Sequence, residues 1–234
     1  MGIHTVNSLD GCKEGICIIR SHGMPCSKIE EIKNKGFEIV DLTCPDVKKV
    51  QEKACGLALE SYPLIILGRE EHPEVSAIKA DALMHSSKVF VVPDITGLDK
   101  ISDFIRQEEK AGVVIQTTQK AEFLQEAVSK LLLITKELKV FNTICRSTEL
   151  RQKEAEELAK VSDLMIVIGG RNSENTARLA EIASKITKTI KIETADELDA
   201  AKDIIKNAEN IGITAGASTP EYLVSEITEK IKNI

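Results

Sequence analysis

The sequence repeats one pattern of strand, cysteine, helix, strand and glycine with an offset of 101 residues. In each copy an apolar run precedes a cysteine, a helical pattern follows, and a second apolar run ends in glycine. Gly68 lies 24 positions after Cys44, and Gly169 lies 24 positions after Cys145. A repeat that preserves this order predicts two copies of one supersecondary unit. Both copies place polar residues where a strand leads into a helix.

Short apolar runs alternate with helical patterns along most of the chain. The runs 64–67 and 164–168 predict buried strands, whereas the segment Pro45–Leu59 predicts a helix. We also expect a single helix over residues 98–107 and another over residues 195–207. Alternating strand–helix units indicate an α/β protein with parallel sheets.

The domain boundaries have to be inferred from the repeat, because no low-complexity linker marks them. One boundary is expected near Cys44 and another near Asn142. The segment before Ser21 contains no complete strand–helix unit, whereas two complete copies follow it. We therefore expect the first of the repeated units to be incomplete.

The composition argues against several classes of protein. A hydrophobic fraction of 42% and a charged fraction of 29% are typical of a folded globular chain. No apolar run approaches the roughly 20 residues that span a bilayer. Residues 1–5 lack the pattern of a secretory signal, so a cytoplasmic location is the default expectation. A net charge of −6 offers no broad basic surface to nucleic acid or membrane lipid.

Six cysteines are too few and too dispersed for a disulfide scaffold in a chain of 234 residues. Most of them are expected to be small buried hydrophobic residues. Cys12, Cys17 and His22 follow one another at intervals of five residues and present the alternative of a zinc-like trio.

Several polar or reactive side chains follow the predicted strands directly. Cys44 precedes Pro45, a favoured first helical residue, so its sulfur is expected near the positive end of a helix dipole. His72 precedes Pro73 in the same way. Each such residue taken singly is more readily a helix cap or a core residue. Taken together they predict a soft-metal site beside an anion-binding pocket, with Glu74 as the candidate proton donor.

Seven short motifs occur in order along the chain: Arg20-Ser21-His22-Gly23, Asp41-Leu42-Thr43-Cys44-Pro45, His72-Pro73-Glu74-Val75, Gln116-Thr117-Thr118, Ile144-Cys145, Asn172-Ser173-Glu174-Asn175 and Thr214-Ala215-Gly216-Ala217-Ser218. Together they resemble the 4-hydroxy-3-methylbut-2-enyl diphosphate reductase family, also called the IspH or LytB family. The resemblance implies three similar α/β domains in a trefoil around a central 4Fe-4S cluster. It also implies an iron-sulfur reductase that makes isopentenyl and dimethylallyl diphosphate by reductive dehydroxylation, the last step of the non-mevalonate isoprenoid pathway.

The resemblance also implies roles for individual residues. Cys44 and Cys145 match two of the three cysteines that hold the cluster. Glu74 matches the proton donor, and Thr117 matches its hydrogen-bonding companion near the substrate hydroxyl, a residue with both a catalytic and a substrate-binding role. Five further residues match positions that bind the diphosphate: His22, His72, Ser173, Asn175 and Ser218. A ferredoxin or flavodoxin is the implied electron donor.

The chain departs from the family pattern in two places. The strand and the loop that carry the family's first cluster cysteine have no counterpart. One of the three cysteine ligands is therefore expected to be missing. Glu174 stands where the family usually has serine, and its carboxylate would repel a diphosphate unless it faced away.

The implied domains are a remnant of the first over residues 1–43, completed by 219–234, a second over 44–141 and a third over 142–218.

Two further functions stay open on the sequence alone. One is a noncatalytic remnant of the family that binds a diphosphate without a cluster, because two thiolates hold a cluster poorly. The other is a metal hydrolase that uses Cys44, His72 and Cys145.

Overall fold

A computed structural model describes residues 4–6, 8–9, 11–12 and 14–234 of the chain. The chain forms two compact units, which adjoin in sequence between Ile144 and Cys145. Within the described ranges the strands form three sheets, and every strand pair is parallel. The expected α/β class with parallel sheets is therefore confirmed.

The first unit begins with a small strand–helix–strand element. Strand β1 (Ile16–Ile19) pairs in parallel with strand β2 (Glu38–Asp41), and helix α1 (Cys26–Asn34) connects them. Gly23 makes the turn after β1 with φ +76°, a backbone conformation that favours glycine. A Cβ atom at this position would lie 3.1 Å from the Gln51 side chain, so the turn packs closely on the residues that follow β2.

The larger sheet of the first unit has the strand order β4-β3-β5-β6. Its elements in chain order are α2 (Pro45–Leu59), β3 (Leu64–Leu67), α3 (Pro73–Leu83), β4 (Val89–Val92), α4 (Ile95–Asp99), α5 (Ser102–Glu108), β5 (Lys110–Ile115), α6 (Ala121–Leu132) and β6 (Glu137–Phe141). Leu64 and Ile66 of β3 pack among residues of α2 and α3, whereas Ile65 and Leu67 pack among residues of α4, α5 and α6. Because helices cover both faces of the sheet, β3 is a continuous apolar run.

The second unit contains one sheet with the order β8-β7-β9. Its elements in chain order are α7 (Arg146–Lys160), β7 (Leu164–Ile168), α8 (Glu174–Ser184), β8 (Lys188–Ile192), a 3₁₀ helix (Ala195–Ala201), α9 (Lys202–Lys206), β9 (Ile211–Ala215) and α10 (Glu221–Lys232). The central strand β7 is buried along its whole length. Strands β3 and β7 therefore form where the apolar runs predict them.

Two helices that the sequence predicts as continuous are each divided. The segment 98–107 is divided between α4 and α5, and the Ser102 hydroxyl donates to the Leu98 carbonyl over 3.0 Å where the two helices meet. Such a side-chain bond competes with the backbone ladder of a continuous helix. The segment 195–207 begins as the 3₁₀ helix and becomes α-helical only at Lys202.

The C-terminal segment 219–234 makes its described contacts within the second unit. Ile227 of α10 is fully buried in an apolar cluster with Leu198 of the 3₁₀ helix and Ile166 of β7. Lys230 Nζ donates to the Ala195 carbonyl over 2.9 Å. The segment thus packs on the sheet of the second unit.

None of the helices that the structure describes combines the length and apolar composition that crossing a membrane requires.

The contact between β5 and α2 leads to a prediction about stability. A Cβ atom on Gly112 of β5 would lie 2.6 Å from Leu57 Cδ2 of α2, and Leu57 is buried. We expect Gly112→Ala to lower the free energy of unfolding by about 1–3 kcal/mol through overpacking. Gly56 is a matched control, because a Cβ atom there would meet no atom within 4 Å. Gly56→Ala should raise the same free energy by roughly 0.5–1 kcal/mol.

Urea-induced unfolding of the two variants and the parent chain measures both changes. Equal stability of Gly112→Ala and the parent would show that Leu57 can move aside, and would contradict the tight packing of α2 on β5.

Candidate active site

The repeated cysteines occupy equivalent positions in the two units. Cys44 is the N-cap of α2 with φ −56° and ψ 135°, and Cys145 is the N-cap of α7 with φ −66° and ψ 128°. Both helices are 15 residues long. Among the described residues, neither side chain makes a capping hydrogen bond to its helix. The structure therefore bears out the strand–cysteine–helix repeat and presents each sulfur at a helix N-terminus.

Backbone and side-chain bonds fix the loop that carries Cys44. The Cys44 N–H donates to the Ser21 carbonyl over 3.0 Å, which ties the loop after β2 to the loop after β1. Asp41 accepts a hydrogen bond from the Thr43 backbone N–H over 2.9 Å and forms an ion pair with Lys48 over 2.7 Å. The bond with Lys48 and the bonds from Thr43 lower the pKa of Asp41 to about 2. The ionised carboxylate of Asp41 thus holds the loop residues that precede Cys44.

Glu74 lies in the first turn of α3 and is buried, with 1% of its surface exposed. Its Oε1 accepts from the Thr117 backbone N–H over 2.8 Å, and its Oε2 accepts from the Thr117 hydroxyl over 2.7 Å. Thr117 follows β5, and it is also buried. Strands β3 and β5 are neighbours in a parallel sheet, so the loops after them meet at one edge. The sequence-predicted pair of Glu74 and Thr117 is brought into direct contact.

Burial raises the pKa of the Glu74 carboxyl above its ordinary value, and the two bonds from Thr117 oppose that rise. Desolvation is the larger effect, because it disfavours the ionised form of a carboxyl group in the interior. A buried carboxyl group with a raised pKa can hold a proton closer to neutral pH than an exposed one can. Glu74 therefore has the electrostatic environment of a general acid.

His72 and His22 form a second pair at the same end of the first unit. Their ring centroids are 5.4 Å apart, and the rings are nearly perpendicular at 85°. His72 is the N-cap of α3, and its Nδ1 accepts from the Glu74 backbone N–H over 3.2 Å. Because Nδ1 is an acceptor, the neutral ring carries its proton on Nε2.

Both imidazoles favour the neutral form. Burial lowers the pKa of His72 to about 4, with smaller contributions from His22 and Arg69. Burial, followed by the charge of Arg20, also lowers the pKa of His22. At neutral pH the pair therefore offers uncharged N–H donors.

Gln116 is a site residue to which the sequence assigned no role of its own. It is fully buried; its Oε1 accepts from the Arg69 backbone N–H over 3.3 Å, and its Nε2 donates to the Thr118 hydroxyl over 3.0 Å. A Cβ atom on Gly68 would lie 2.8 Å from Gln116 Oε1, so only glycine admits this side chain. Gln116 thereby links the loops after β3 and β5. The signal available in the sequence was its place beside Thr117, at the end of an apolar run.

The second unit places its candidate residues in the turns after β7 and β9. Ser173 is the N-cap of α8, and its Oγ accepts from the Thr176 backbone N–H over 3.3 Å. Asn175 lies in the first turn of the same helix. Ser218 is exposed in the turn between β9 and α10, and the N-cap of α10 is Pro220. Ser218 is therefore not the N-cap of α10.

The cysteines fit an iron-sulfur cluster in donor type. Thiolate sulfur is the ligand that such clusters prefer. In the part of the chain that the structure describes, no three or more His, Cys, Asp or Glu side chains are grouped so that they could hold a metal ion. The zinc-like trio of Cys12, Cys17 and His22 is thus not assembled.

Comparison with known proteins identifies similar chains. A family model described as LytB protein matches residues 1–232. The 4-hydroxy-3-methylbut-2-enyl diphosphate reductase of Geobacter sulfurreducens is 43% identical over 233 residues, which cover 99% of this chain and 79% of the relative. The reductase of the same name from Aquifex aeolicus is 41% identical over 95% of this chain and 75% of the relative.

Two solved structures are also similar. One is described as (E)-4-hydroxy-3-methyl-but-2-enyl diphosphate reductase, the terminal enzyme of the non-mevalonate pathway; it has a TM-score of 0.66 and 40% identity over 94% of this chain and 76% of its own. The other is the E-1-hydroxy-2-methyl-but-2-enyl-4-diphosphate reductase from Plasmodium falciparum. It has a TM-score of 0.86 and 27% identity over 96% of this chain and 70% of its own.

The depressed pKa of His72 predicts a pH dependence of stability. The ordinary pKa of histidine is 6.5 and that of folded His72 is about 4, so between these values the unfolded chain binds more protons. The free energy of unfolding should therefore fall as the pH falls from 6.5 towards 4. His72→Asn keeps an acceptor for the Glu74 N–H and removes the titration. Between pH 6.5 and 4 we expect the free energy of unfolding of this variant to fall by about 1–2 kcal/mol less than that of the parent. The difference is smaller than the full pKa shift would give, because the ring is only half-buried.

Urea unfolding of the parent and His72→Asn at pH 8, 6 and 4 measures the difference. At pH 8 both side chains are neutral, so the comparison there isolates the effect of the cap. Parallel pH profiles for the two proteins would contradict a depressed pKa at His72.

Proposed function

This chain belongs to the LytB protein family, and from that membership we propose that it catalyses the reductive removal of the allylic hydroxyl group of 4-hydroxy-3-methylbut-2-enyl diphosphate. Membership confirms the resemblance drawn from the seven motifs. The proposed products are isopentenyl and dimethylallyl diphosphate. The reaction breaks the allylic C–O bond, consumes two electrons and two protons, and releases one water molecule.

The buried contact between Glu74 and Thr117 is the observation that carries this proposal. Departure of a hydroxyl group as water needs a proton from a group that is protonated near neutral pH. The raised pKa of Glu74 suits that task. Glu74 Oε2 lies 2.7 Å from the Thr117 hydroxyl, so a protonated Glu74 would donate to Thr117. The Thr117 hydroxyl would then turn its own hydrogen towards the leaving group.

The diphosphate is proposed to bind to His22 and His72 and to Ser173, Asn175 and Ser218. The two histidines offer N–H groups from neutral rings, because burial lowers the pKa of both. Ser173 uses an oxygen lone pair to cap α8, which leaves its hydroxyl hydrogen for a ligand. The N-terminus of α8 adds the favourable end of a helix dipole for an anion.

Cys44 and Cys145 are the residues that would hold the 4Fe-4S cluster in this chain. When bound, the cluster supplies the two electrons of the reduction, and a ferredoxin or flavodoxin is the proposed source of those electrons. The two cysteines occupy equivalent positions at the N-termini of α2 and α7, which supports the assignment.

A second function, a noncatalytic family member that binds a diphosphate without a cluster, is favoured by the neutral histidine pair and the N-terminus of α8, which suit an anion whether or not a cluster is bound. This alternative retains the histidine pair and the α8 site and lacks the reduction. Measurement of iron content decides between the two functions.

The role of Glu74 predicts the behaviour of a conservative variant. Glu74→Gln keeps an oxygen acceptor for the Thr117 N–H but removes the acidic proton. We expect turnover with reduced methyl viologen to fall by about 10²-fold or more, while the melting temperature stays close to that of the parent. The matched control is Glu71→Gln, which makes the same change at an exposed position two residues before α3 and should keep full activity.

Full turnover of Glu74→Gln would exclude Glu74 as the proton donor. A large loss of melting temperature would instead show that the substitution disturbs the bonds to Thr117. Thr117→Val, which removes the hydroxyl and keeps the shape, would then test the hydroxyl path, with Thr117→Ser as the control that keeps the hydroxyl.

The cluster assignment predicts a difference among the cysteines. After anaerobic reconstitution with iron and sulfide, Cys44→Ser and Cys145→Ser should each lose at least half of the iron that the parent chain retains. Cys12→Ser should retain the parental amount, because Cys12 is exposed and is not among the proposed ligands. Iron analysis and electron paramagnetic resonance of the reduced proteins measure the difference.

Equal retention of iron by all three variants would contradict the assignment. Absence of bound iron in the parent, together with binding of pyrophosphate, would support the noncatalytic alternative.

A further inference from the structure

Thr176, in the first turn of α8, carries a buried hydroxyl group without a hydrogen-bond partner among the described residues. The residue is only 1% exposed. The backbone N–H of Thr176 donates to Ser173, but the side-chain Oγ1 neither donates nor accepts in the described structure. The neighbouring Asn175 Oδ1 is also buried and has no partner in the described part of the chain. Within the described ranges, two polar atoms at the start of one helix therefore lack hydrogen-bond partners.

The position of the Thr176 hydroxyl relates it to two strand ends. Ideal Cβ atoms built on Gly169 and on Gly216 would each lie 2.4 Å from Thr176 Oγ1. Gly169 follows β7 and Gly216 follows β9, so the hydroxyl points into the notch between the two strand ends. Gly169 also has φ +152°, which favours glycine independently. The absence of a side chain at both glycines leaves the space that the hydroxyl occupies.

An unpaired buried hydroxyl is unfavourable in the free protein, because the group has lost its hydrogen bonds to water. Valine has nearly the same shape and would fill the same space without that penalty. An unsatisfied polar group of this kind calls for an explanation, and a role at a binding site is one such explanation. The explanation has to lie in a state in which the hydroxyl acquires a partner.

The charges near this turn make neutral donors important. Arg171 pairs with Glu193 at 3.6 Å and with Glu197 at 3.3 Å, so its charge is largely compensated. Lys191 Nζ donates to the Arg171 carbonyl over 3.2 Å and is a second cation at the turn. Glu174 adds a carboxylate to the first turn of α8. An anion at the N-terminus of this helix would therefore depend on hydroxyl and backbone donors as well as on the two cations.

We propose that the Thr176 hydroxyl belongs to the diphosphate site and obtains its hydrogen-bond partner when an anion binds at the N-terminus of α8. This inference rests on the proposed function, since it adds a donor to the same site. A small opening of the Gly169 and Gly216 turns admits the anion oxygen to the hydroxyl. The Thr176 hydroxyl then stabilises the protein with the anion bound and destabilises the protein without it.

The test combines stability and binding in the full 234-residue chain, with inorganic pyrophosphate as the probe. Thr176→Val removes the hydroxyl and keeps the shape, whereas Thr176→Ser keeps the hydroxyl. We expect Thr176→Val to raise the melting temperature of the free protein by roughly 2–4 °C. The same variant should weaken pyrophosphate binding by about tenfold in isothermal titration calorimetry. Thr176→Ser should bind pyrophosphate nearly as tightly as the parent, within about threefold.

The outcomes separate this inference from the function on which it rests. Absence of pyrophosphate binding by the parent chain would overturn the diphosphate site itself, and the inference with it. Binding by the parent and equal binding by Thr176→Val would overturn the inference alone. A lower melting temperature of Thr176→Val would show that the hydroxyl has a partner in the free protein. Equal losses of pyrophosphate affinity in Thr176→Val and Thr176→Ser would assign the effect to packing of the side chain. Either result contradicts the proposal.

Discussion

Parallel pairing of the strands is the constraint on which the rest of this structure depends. Parallel strands cannot be joined by tight turns, so each connection is a crossover, usually through a helix. The carboxyl end of each strand then leads towards a helix N-terminus, where backbone N–H groups are unsatisfied. Cys44, His72, Cys145 and Ser173 all occupy N-cap positions at such junctions. The topology thus concentrates polar chemistry at the strand ends and leaves the strands themselves apolar.

The parts of the fold that depend on burial alone could be predicted from the sequence. Strands β3 and β7 are central in their sheets and are buried along their whole length, so their apolar runs carry an unambiguous signal. The division between α4 and α5 could not be predicted, because the Ser102 bond to Leu98 competes with a helix pattern that is otherwise continuous. The docking of α10 is likewise not specified by its own sequence. An amphipathic stripe shows that a helix packs, but it does not identify the sheet on which it packs.

The candidate site was predictable only where a residue type is unusual at a strand end. Cys44, Glu74 and the histidines stand out in a sequence, and the motif resemblance supplied their proposed roles. Gln116 and Thr176 do not stand out, because neutral polar residues at the start of a turn or helix are ordinary caps. Their significance lies in contacts that the local sequence does not contain. Gln116 bonds to the backbone of Arg69 in another loop, and Thr176 faces glycines at two strand ends.

The neutral state of the histidine pair supports the proposed acid role of Glu74. A protonated His72 at the N-cap beside Glu74 would favour the carboxylate and lower the pKa of Glu74. Burial instead lowers the pKa of His72 to about 4 and raises that of Glu74. At neutral pH the ring is therefore uncharged and does not favour ionisation of the Glu74 carboxyl group. An anionic diphosphate bound at His22 and His72 would raise the pKa of Glu74 further, because like charges disfavour ionisation. On the proposed function, substrate binding itself therefore promotes protonation of the group that must deliver a proton to the leaving hydroxyl.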